Sequence, residues 1–183
     1  MHVSISYSTF TELAGTLLMY VETDHLVCGD TINFNGITVS VDQDDVAERI
    51  EDGTATLQEL AWAIRKARSL SDEQLMSYDV FGPTEGEVIP LRDKMVRGRK
   101  EYTDYTCGVP IRAGERHRNI VEVFEGQMAD TRHCELACWM TEFGRSPHQV
   151  FENGRYSTDP EFIELYTRAI NLIALEDALG RAA

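Results

Sequence analysis

The residues of this chain with the most specific chemistry are its cysteines, one of which stands in a recognisable turn sequence. Asp104 lies three residues before Cys107, and Gly108 follows directly. In a zinc knuckle the two ligands occupy positions i and i+3, and a glycine after the second ligand allows the backbone to turn so that its N–H groups face a ligand atom. Asp104 and Cys107 are therefore predicted to supply the first half of a metal site.

A second group of candidate ligands follows further along the chain. His133 and Cys134 are adjacent, and Cys138 lies four residues after Cys134. We expect a helix to begin here, where backbone N–H groups and the helix dipole favour a thiolate. The predicted tetrahedral set for one zinc ion consists of Asp104, Cys107, either His133 or Cys134, and Cys138. Four protein ligands leave no open position for a substrate, so the predicted zinc is structural.

Residues 98–143 resemble the treble-clef or zinc-ribbon-like segment found in many uncharacterised phage and prophage proteins. The residues that carry the resemblance are Cys107, Gly108, Ile111, Gly114, Glu115, Cys134 and Cys138. The resemblance implies a small ββα lobe with a structural zinc, and a phage origin. The pattern differs at two places, because Asp104 replaces the first knuckle cysteine and three residues separate Cys134 from Cys138. A lobe without metal and a redox role for the thiols therefore remain alternatives.

The fourth cysteine, Cys28, is interpreted as an ordinary buried residue, although His25 precedes it at the knuckle spacing. Four cysteines are too few for a disulfide scaffold in a chain of 183 residues. The sequence also has no run of about 20 apolar residues and no signal peptide at its N-terminus. We therefore expect a cytoplasmic protein without a membrane-spanning segment, in which the thiols stay reduced.

The net charge of −14 is distributed unevenly along the chain. Residues 1–91 carry 16 Asp and Glu against 4 Lys and Arg, whereas residues 92–118 carry 8 Lys and Arg against 4 Asp and Glu. Because nucleic-acid binding needs Lys and Arg to neutralise phosphates, the overall charge disfavours it, and the basic segment 92–118 is a local exception. That segment is interpreted either as a solvated linker that docks on the acidic half or as a contact for phosphate.

A cluster of acidic residues forms the second candidate site, which we call the acidic face. Its members are Asp42, Asp44, Asp45, Glu48, Glu51 and Asp52. They are interpreted either as a solvated helix face or as a surface that binds a basic protein, since opposite charges steer association. Motifs of nucleotide-binding loops, serine hydrolases, zinc proteases and dinucleotide-binding folds are absent, so the interpretation leans away from an enzyme.

We therefore expect a non-enzymatic protein-binding factor that acts through the acidic face on a basic host protein or nucleoprotein complex. The resemblance to phage proteins implies an inhibitor of a host nucleic-acid-handling or defence complex, such as an anti-CRISPR or anti-restriction protein. The alternative function is a zinc-stabilised regulator that binds nucleic acid through the basic segment 92–118.

Hydrophobic periodicity and turn signals predict an α+β fold. The predicted elements before residue 81 are a strand over 2–7, a helix over 9–21, a hairpin over 31–41 around Asn35-Gly36, and short helices capped by Asp44 or Asp45, by Thr56 and by Ser71. A long helix from Pro160 to about Leu179 ends the chain. Its many apolar positions indicate packing across the lobes or a homodimer interface.

The predicted organisation has four parts. They are an acidic α+β lobe with a β-hairpin over 1–81, a linker over 82–97, a small zinc-knuckle-like ββα lobe over 98–143, and a C-terminal loop and long helix over 144–183. The linker follows from the glycines and prolines at positions 82, 83, 86 and 90, which break regular structure. We call residues 98–143 the cysteine lobe.

Overall fold

The computed structural model describes residues 2–18, 26–27, 31–34, 36–80, 88–124, 126–152 and 155–180. These residues form helices and several small sheets, and the predicted α+β class is confirmed. Cys28, with the predicted half-site around it, lies outside the described residues. Among the helices that the structure describes, none is long and apolar enough to cross a membrane.

The N-terminal residues form a four-stranded sheet with one helix. Its elements are β1 (His2–Ile5), α1 (Tyr7–Leu18), β2 (Leu26–Val27), β3 (Thr31–Phe34) and β4 (Ile37–Val41). The strands lie in the order β1-β4-β3-β2, and β1 runs parallel to β4. The predicted hairpin is confirmed, because Phe34 pairs with Ile37 and Gly36 has a φ of 79°, the positive value that a tight two-residue turn requires.

Three helices follow the hairpin, and side-chain caps define where they begin. They are α2 (Gln43–Glu51), α3 (Leu57–Ser69) and α4 (Asp72–Met76). The predicted capping box of Thr56 and Glu59 is confirmed, and Ser71 caps α4 as expected. The cap of α2 is Asp42, however, and not Asp44 or Asp45. The backbone N–H of Asp42 still donates to Ile5 at 2.6 Å, so the sheet pairing ends there and the helix begins immediately afterwards.

The predicted linker over 82–97 contains a strand over its last ten residues. Residues 88–97 form strand β5 (Val88–Arg97), which pairs antiparallel with β8 (Arg116–Phe124). Pro90 does not end the strand, because it lies at a register shift on an edge strand, where a missing N–H is tolerated. Residues 82–87 lie outside the described residues.

The cysteine lobe begins with a small hairpin and continues into a larger one. Its remaining elements are β6 (Tyr102–Thr103), β7 (Pro110–Ile111), β9 (Gln127–Cys134), α5 (Glu135–Met140) and a 3-10 turn (Thr141–Phe143). Strands β5, β8 and β9 form one antiparallel sheet in that order. The predicted arrangement of a turn, a hairpin and a helix is therefore present.

The chain ends with a hairpin and a long helix that joins the core. They are β10 (Gln149–Glu152), β11 (Arg155–Thr158) and α6 (Pro160–Gly180), and Asp159 accepts a hydrogen bond from the backbone of Glu161 at 2.9 Å. Helix α6 buries Tyr166 and Ile170 in a cluster that also contains Leu60 of α3 and Trp139 of α5. One core thus includes residues from all three structured parts of the predicted division.

Candidate metal site and the charged surfaces around it

Asp104 lies at the end of β6, where its carboxylate collects backbone N–H groups. Its Oδ1 accepts hydrogen bonds from the backbone of Thr106 and Cys107, both at 2.7 Å, and from the Cys107 thiol at 3.2 Å. The turn is closed by the Gly108 N–H, which donates to the Asp104 carbonyl at 3.0 Å. Gly108 has a φ of 65°, so the predicted requirement for glycine after the second knuckle position is met.

The second segment of the site is the junction between β9 and α5. Cys134 is the N-cap of α5, and its Sγ accepts the backbone N–H of Ala137 at 3.4 Å. The Cys134 N–H donates to Oδ2 of Asp104 at 2.5 Å, which ties the two segments together. One ligand atom from each of Asp104, Cys107 and Cys134 lies within 4.8 Å of the others, and all three residues are buried. This group could hold a metal ion.

The surroundings of the thiols favour their protonated form. Burial raises the pKa of Cys107 well above its ordinary value, and the neighbouring Cys134 adds to this. A hydrogen bond from Cys107 lowers the pKa of Cys134, but burial and the charge of Asp104 outweigh it, so that pKa is raised as well. Reactive cysteines are partly exposed and have lowered pKa values. The environment therefore does not favour the redox alternative.

Two of the predicted ligands are not part of this group. Both ring nitrogens of His133 lie near threonine hydroxyls, Nδ1 at 3.0 Å from Thr106 and Nε2 at 3.1 Å from Thr131. Burial lowers the pKa of His133. The Sγ of Cys138 lies 4.0 Å from the His133 carbonyl oxygen, and burial raises the pKa of this thiol too. Within the described ranges, the potential metal group contains neither residue.

A small cavity lies beside Cys134, on the side of α5 and α6. It has a volume of about 10 Å³, and Cys134, Ile111 and Tyr166 are among the residues that line it. Burial raises the pKa of Tyr166 well above its ordinary value, and the nearby Cys134 and Cys107 add to the effect. A volume of this size is close to the smallest that can hold one water molecule.

Three members of the acidic face converge on one arginine that follows the 3-10 turn. The Arg145 guanidinium lies 2.8 Å from Asp44, 3.0 Å from Glu48 and 3.2 Å from Glu51. The side chains of Asp44 and Glu48 nevertheless remain 59% and 55% exposed. The acidic face is thus partly neutralised by the chain itself, a contact that the spacing in the sequence does not indicate.

The other three members of the acidic face lie at the two ends of α2, where Asp45 is half-buried in the first turn. Asp42 caps the helix by accepting the backbone N–H of Asp45 at 3.3 Å, so its carboxylate has a structural role. Asp52 follows the last turn of the helix and is exposed. Only part of the predicted face is therefore available to a partner as an acidic surface.

The arginines of the basic segment 92–118 differ in their availability. Arg118 is buried and forms two hydrogen bonds to Asp93, at 2.8 and 2.7 Å. Arg116 pairs with Glu135 and with Asp72. Arg92 and Lys94 are exposed on β5. Two of the basic residues that the sequence offers to phosphate therefore hold the fold together instead.

Sequence reasoning missed a further group of polar residues beside α6. His148 Nδ1 lies 2.8 Å from the Glu51 carbonyl oxygen, and its Nε2 lies 3.2 Å from Asp159. Both residues line a cleft of about 370 Å³ with apolar residues of α6 such as Phe162. His148 stands in no motif, so only the folded chain identifies this contact.

Comparisons with protein-family models, curated proteins and solved structures found no match for this chain.

Proposed function

We propose that the Asp104/Cys107/Cys134 group binds one structural zinc ion. The observation that carries this proposal is the convergence of three buried ligand atoms within 4.8 Å, from two segments that are far apart in the sequence. Carboxylate and thiolate are both ordinary zinc ligands in proteins.

The order of the elements supports the same proposal. A tight turn with one ligand pair is followed by the β8–β9 hairpin and then by a helix whose N-cap, Cys134, is a ligand. This order is the one implied by the resemblance of the cysteine lobe to treble-clef segments. The Asp104 carboxylate accepts the N–H groups of Thr106 and Cys107, which in a knuckle would face the first cysteine sulfur.

A metal-free lobe is the second candidate, and a specific observation favours it. Both carboxylate oxygens of Asp104 already accept hydrogen bonds, from Thr106, Cys107 and Cys134. A buried carboxylate with this many donors is satisfied without a metal ion, and it holds the turn against the start of α5 by itself.

Zinc analysis of the purified protein separates these two candidates. We expect about one equivalent of zinc, lost in Cys107→Ser and in Cys134→Ser but kept in Cys138→Ser, which serves as the matched control. The variant Asp104→Cys should bind zinc more tightly, because it restores the knuckle cysteine. Loss of zinc in Cys138→Ser would favour the ligand set predicted from sequence. Protein without zinc when prepared free of chelator, in every variant, would favour the metal-free lobe.

At the level of the whole molecule, we propose a non-enzymatic protein that binds a cationic protein partner through the acidic face. The geometry around Arg145 supports this proposal, because Asp44, Glu48 and Glu51 already surround one guanidinium group. Carboxylates placed in this way suit arginine and lysine side chains of a partner. The resemblance of the cysteine lobe to phage proteins supports the further proposal that the partner is a host nucleic-acid-handling or defence complex.

Binding of an arginine-rich peptide tests the acidic face directly. We expect the double variant Asp44→Asn/Glu48→Gln to weaken binding, and Arg145→Gln to strengthen it because the carboxylates lose their internal partner. Glu73→Gln, an exposed change on α4, is the control. Binding should weaken with salt, because the charges are exposed and screened. Equal affinity in all variants would show that the acidic face is a solvated helix face only.

A further inference from the structure

The register of the three-stranded sheet brings cations from two strands onto one face. Arg92 and Lys94 of β5 lie opposite Val121 and Asn119 of β8, and these in turn lie opposite Asp130 and Arg132 of β9. Directly opposed residues in antiparallel strands have their side chains on the same face, as do residues two apart. Arg92, Lys94 and Arg132 therefore share one face of the sheet, which we call the cationic face.

The opposite face of the same sheet is occupied by the fold. Asp93 lies on this opposite face and pairs with the buried Arg118. Arg118 also donates a hydrogen bond to the Tyr78 carbonyl at 2.6 Å. Ile120 and Thr131, which share this face by register, are buried as well. Arg118 thus stabilises the fold on one face, whereas Arg92 and Lys94 are exposed on the other face, beside the buried Asn119 and Val121 of the central strand.

Two tyrosines of the cysteine lobe border the cationic face. The Tyr102 ring lies 5.0 Å from the Arg132 guanidinium carbon and 5.4 Å from the Lys100 ammonium nitrogen. Tyr105 is 67% exposed, which is unusual for a large aromatic residue. Lys100, both tyrosines and Arg132 line an open groove of about 560 Å³, which we call the tyrosine groove.

The position of Arg132 in the groove is fixed by Asp130. The Asp130 carboxylate accepts hydrogen bonds from the Arg132 guanidinium, and its other neighbour is the Asn119 amide at 2.8 Å. The Arg132 side chain is therefore fixed in place against the Tyr102 ring, and most of its charge is neutralised by Asp130. The charge available to an anion comes mainly from Arg92, Lys94 and Lys100, which are all exposed.

We propose that the tyrosine groove and the adjoining sheet face bind single-stranded nucleic acid. Unpaired bases would stack on Tyr105 and beside Tyr102. Arg92, Lys94 and Lys100 would form ion pairs with the phosphates. Aromatic platforms beside a cationic track are the general means by which proteins bind single strands with little sequence preference. A duplex hides its base faces and could use only the cations, so the exposed Tyr105 favours a single strand.

The net charge of −14 limits this binding without preventing it. Repulsion from distant carboxylates is screened beyond a Debye length of about 8 Å at physiological ionic strength, whereas direct contacts in the groove are shorter than that. We therefore expect modest affinity that depends strongly on salt. This inference does not need the proposed zinc ion or the proposed protein partner, although Asp104 of the candidate metal group also lines the tyrosine groove.

Fluorescence anisotropy with a labelled single-stranded oligonucleotide of mixed sequence tests the proposal. At low salt, Tyr105→Ala should raise the Kd by about five-fold or more, the loss expected for one stacked base. Arg92→Glu/Lys94→Glu should make the slope of log K against log salt shallower by about 1.4, which is the loss of about two phosphate contacts on a single strand. Tyr78→Ala and Arg168→Glu, an exposed tyrosine and an exposed arginine elsewhere, are the matched controls.

Competition by heparin and by duplex DNA completes the test. The proposal predicts that an unlabelled single strand competes better than either polyanion, and that both controls bind like the parent protein. Absence of binding at low salt, an unchanged Kd for Tyr105→Ala, or equal competition by heparin would overturn it, because heparin has charge but no bases.

Discussion

Asp104 shows how one buried side chain can hold two distant segments together. It accepts backbone hydrogen bonds from its own turn and from Cys134, so the turn and the start of α5 depend on the same carboxylate. Hydrogen bonds to a charged acceptor are stronger than those between neutral groups, and a buried donor without a partner is costly. Asp104 therefore has a structural role whether or not metal is bound.

The variant Asp104→Asn is expected to be less stable than the parent protein by about 1–3 kcal/mol. The asparagine amide offers one acceptor oxygen, so its NH₂ group would face a backbone N–H donor. Urea denaturation with chelator present measures the effect without a contribution from metal. Asp130→Asn, a partly exposed change in the same lobe, should cost clearly less. Equal stability of Asp104→Asn and the parent would contradict the role assigned to the carboxylate.

Arg118 is a second residue whose role depends on its partner. Its guanidinium forms a two-point contact with Asp93, and its side chain is 6% exposed against 34% for Asp93. Arg118→Met should lower the free energy of unfolding by about 2–4 kcal/mol, somewhat less than for a fully buried pair because Asp93 keeps part of its hydration. Arg97→Met, which loses one hydrogen bond to Gly114, should cost under about 1 kcal/mol. Chemical denaturation of both variants measures the difference, and similar losses would refute it.

At the scale of elements, the connection between α2 and α6 depends on His148. The ring lies between the carbonyl of Glu51, at the end of α2, and Asp159, which precedes α6. Gly53 packs against this ring, because a Cβ at that position would lie 3.0 Å from two of its atoms. The turn after α2 therefore needs glycine both for its backbone angle and for the close approach of the histidine.

Gly53→Ala is expected to be more destabilising than Gly144→Ala. Both positions have positive φ values, 70° and 67°, so both variants carry the strain of an L-residue in the left-handed region, about 1–2 kcal/mol. At Gly144 a Cβ meets nothing within 4 Å, whereas at Gly53 it would lie 3.0 Å from the His148 ring, which must shift and strain its two contacts. Thermal unfolding of both variants checks the order. In a His148→Ala background the two glycine variants should become similar, and a persistent difference would point to another cause.

At the scale of the whole molecule, the hydrophobic core crosses the predicted lobe boundaries. Trp62 of α3 and Trp139 of α5 have ring centroids 6.1 Å apart in an edge-to-face contact. Tyr166 of α6 is buried beside the Asp104/Cys107/Cys134 group, near the cavity that Cys134 also lines. A change in the cysteine lobe is therefore expected to affect the helices that come from both ends of the chain.

Unfolding is expected to occur in one cooperative transition. Tryptophan fluorescence reports on the contact between α3 and α5, and far-ultraviolet circular dichroism reports on all helices and strands. The two signals should have the same midpoint in urea, and Cys107→Ser should shift both midpoints equally. Two separate transitions would instead support the independent lobes predicted from the sequence.

Homodimerisation through α6 stays a prediction, and the structure restricts where it would occur. The apolar positions Tyr166, Ile170 and Ile173 are buried, while Leu175 and Leu179 are 58% and 63% exposed. A dimer that uses α6 should therefore dissociate in Leu175→Glu, because a carboxylate would be buried at its centre. Light scattering measures the mass, with Leu91→Glu on β5 as the control. A monomer mass for the parent protein would remove the dimer from consideration.

The parts of the fold that follow from neighbouring residues could be predicted from the sequence. The Asn35-Gly36 hairpin, the box of Thr56 and Glu59 and the proline at the start of α6 each depend on a few adjacent residues. The cap of α2 differs from the prediction because the pairing of β1 with β4 determines where that helix begins. Pro90 lies in a strand and not in a linker, a difference that arises because the sequence does not show that β5 lies at the edge of a sheet.

The sequence by itself also indicated the two halves of the candidate metal site, since the spacing of Asp104, Cys107 and Gly108 determines a turn. Only the tertiary structure decided that Cys134 completes the group while His133 and Cys138 are directed elsewhere. Only the tertiary structure likewise decided that Arg145 pairs with the acidic face and which cations share the cationic face of the sheet. Local structure depends on backbone angles and neighbouring side chains, whereas the choice of distant partners depends on strand register and on the path of the whole chain.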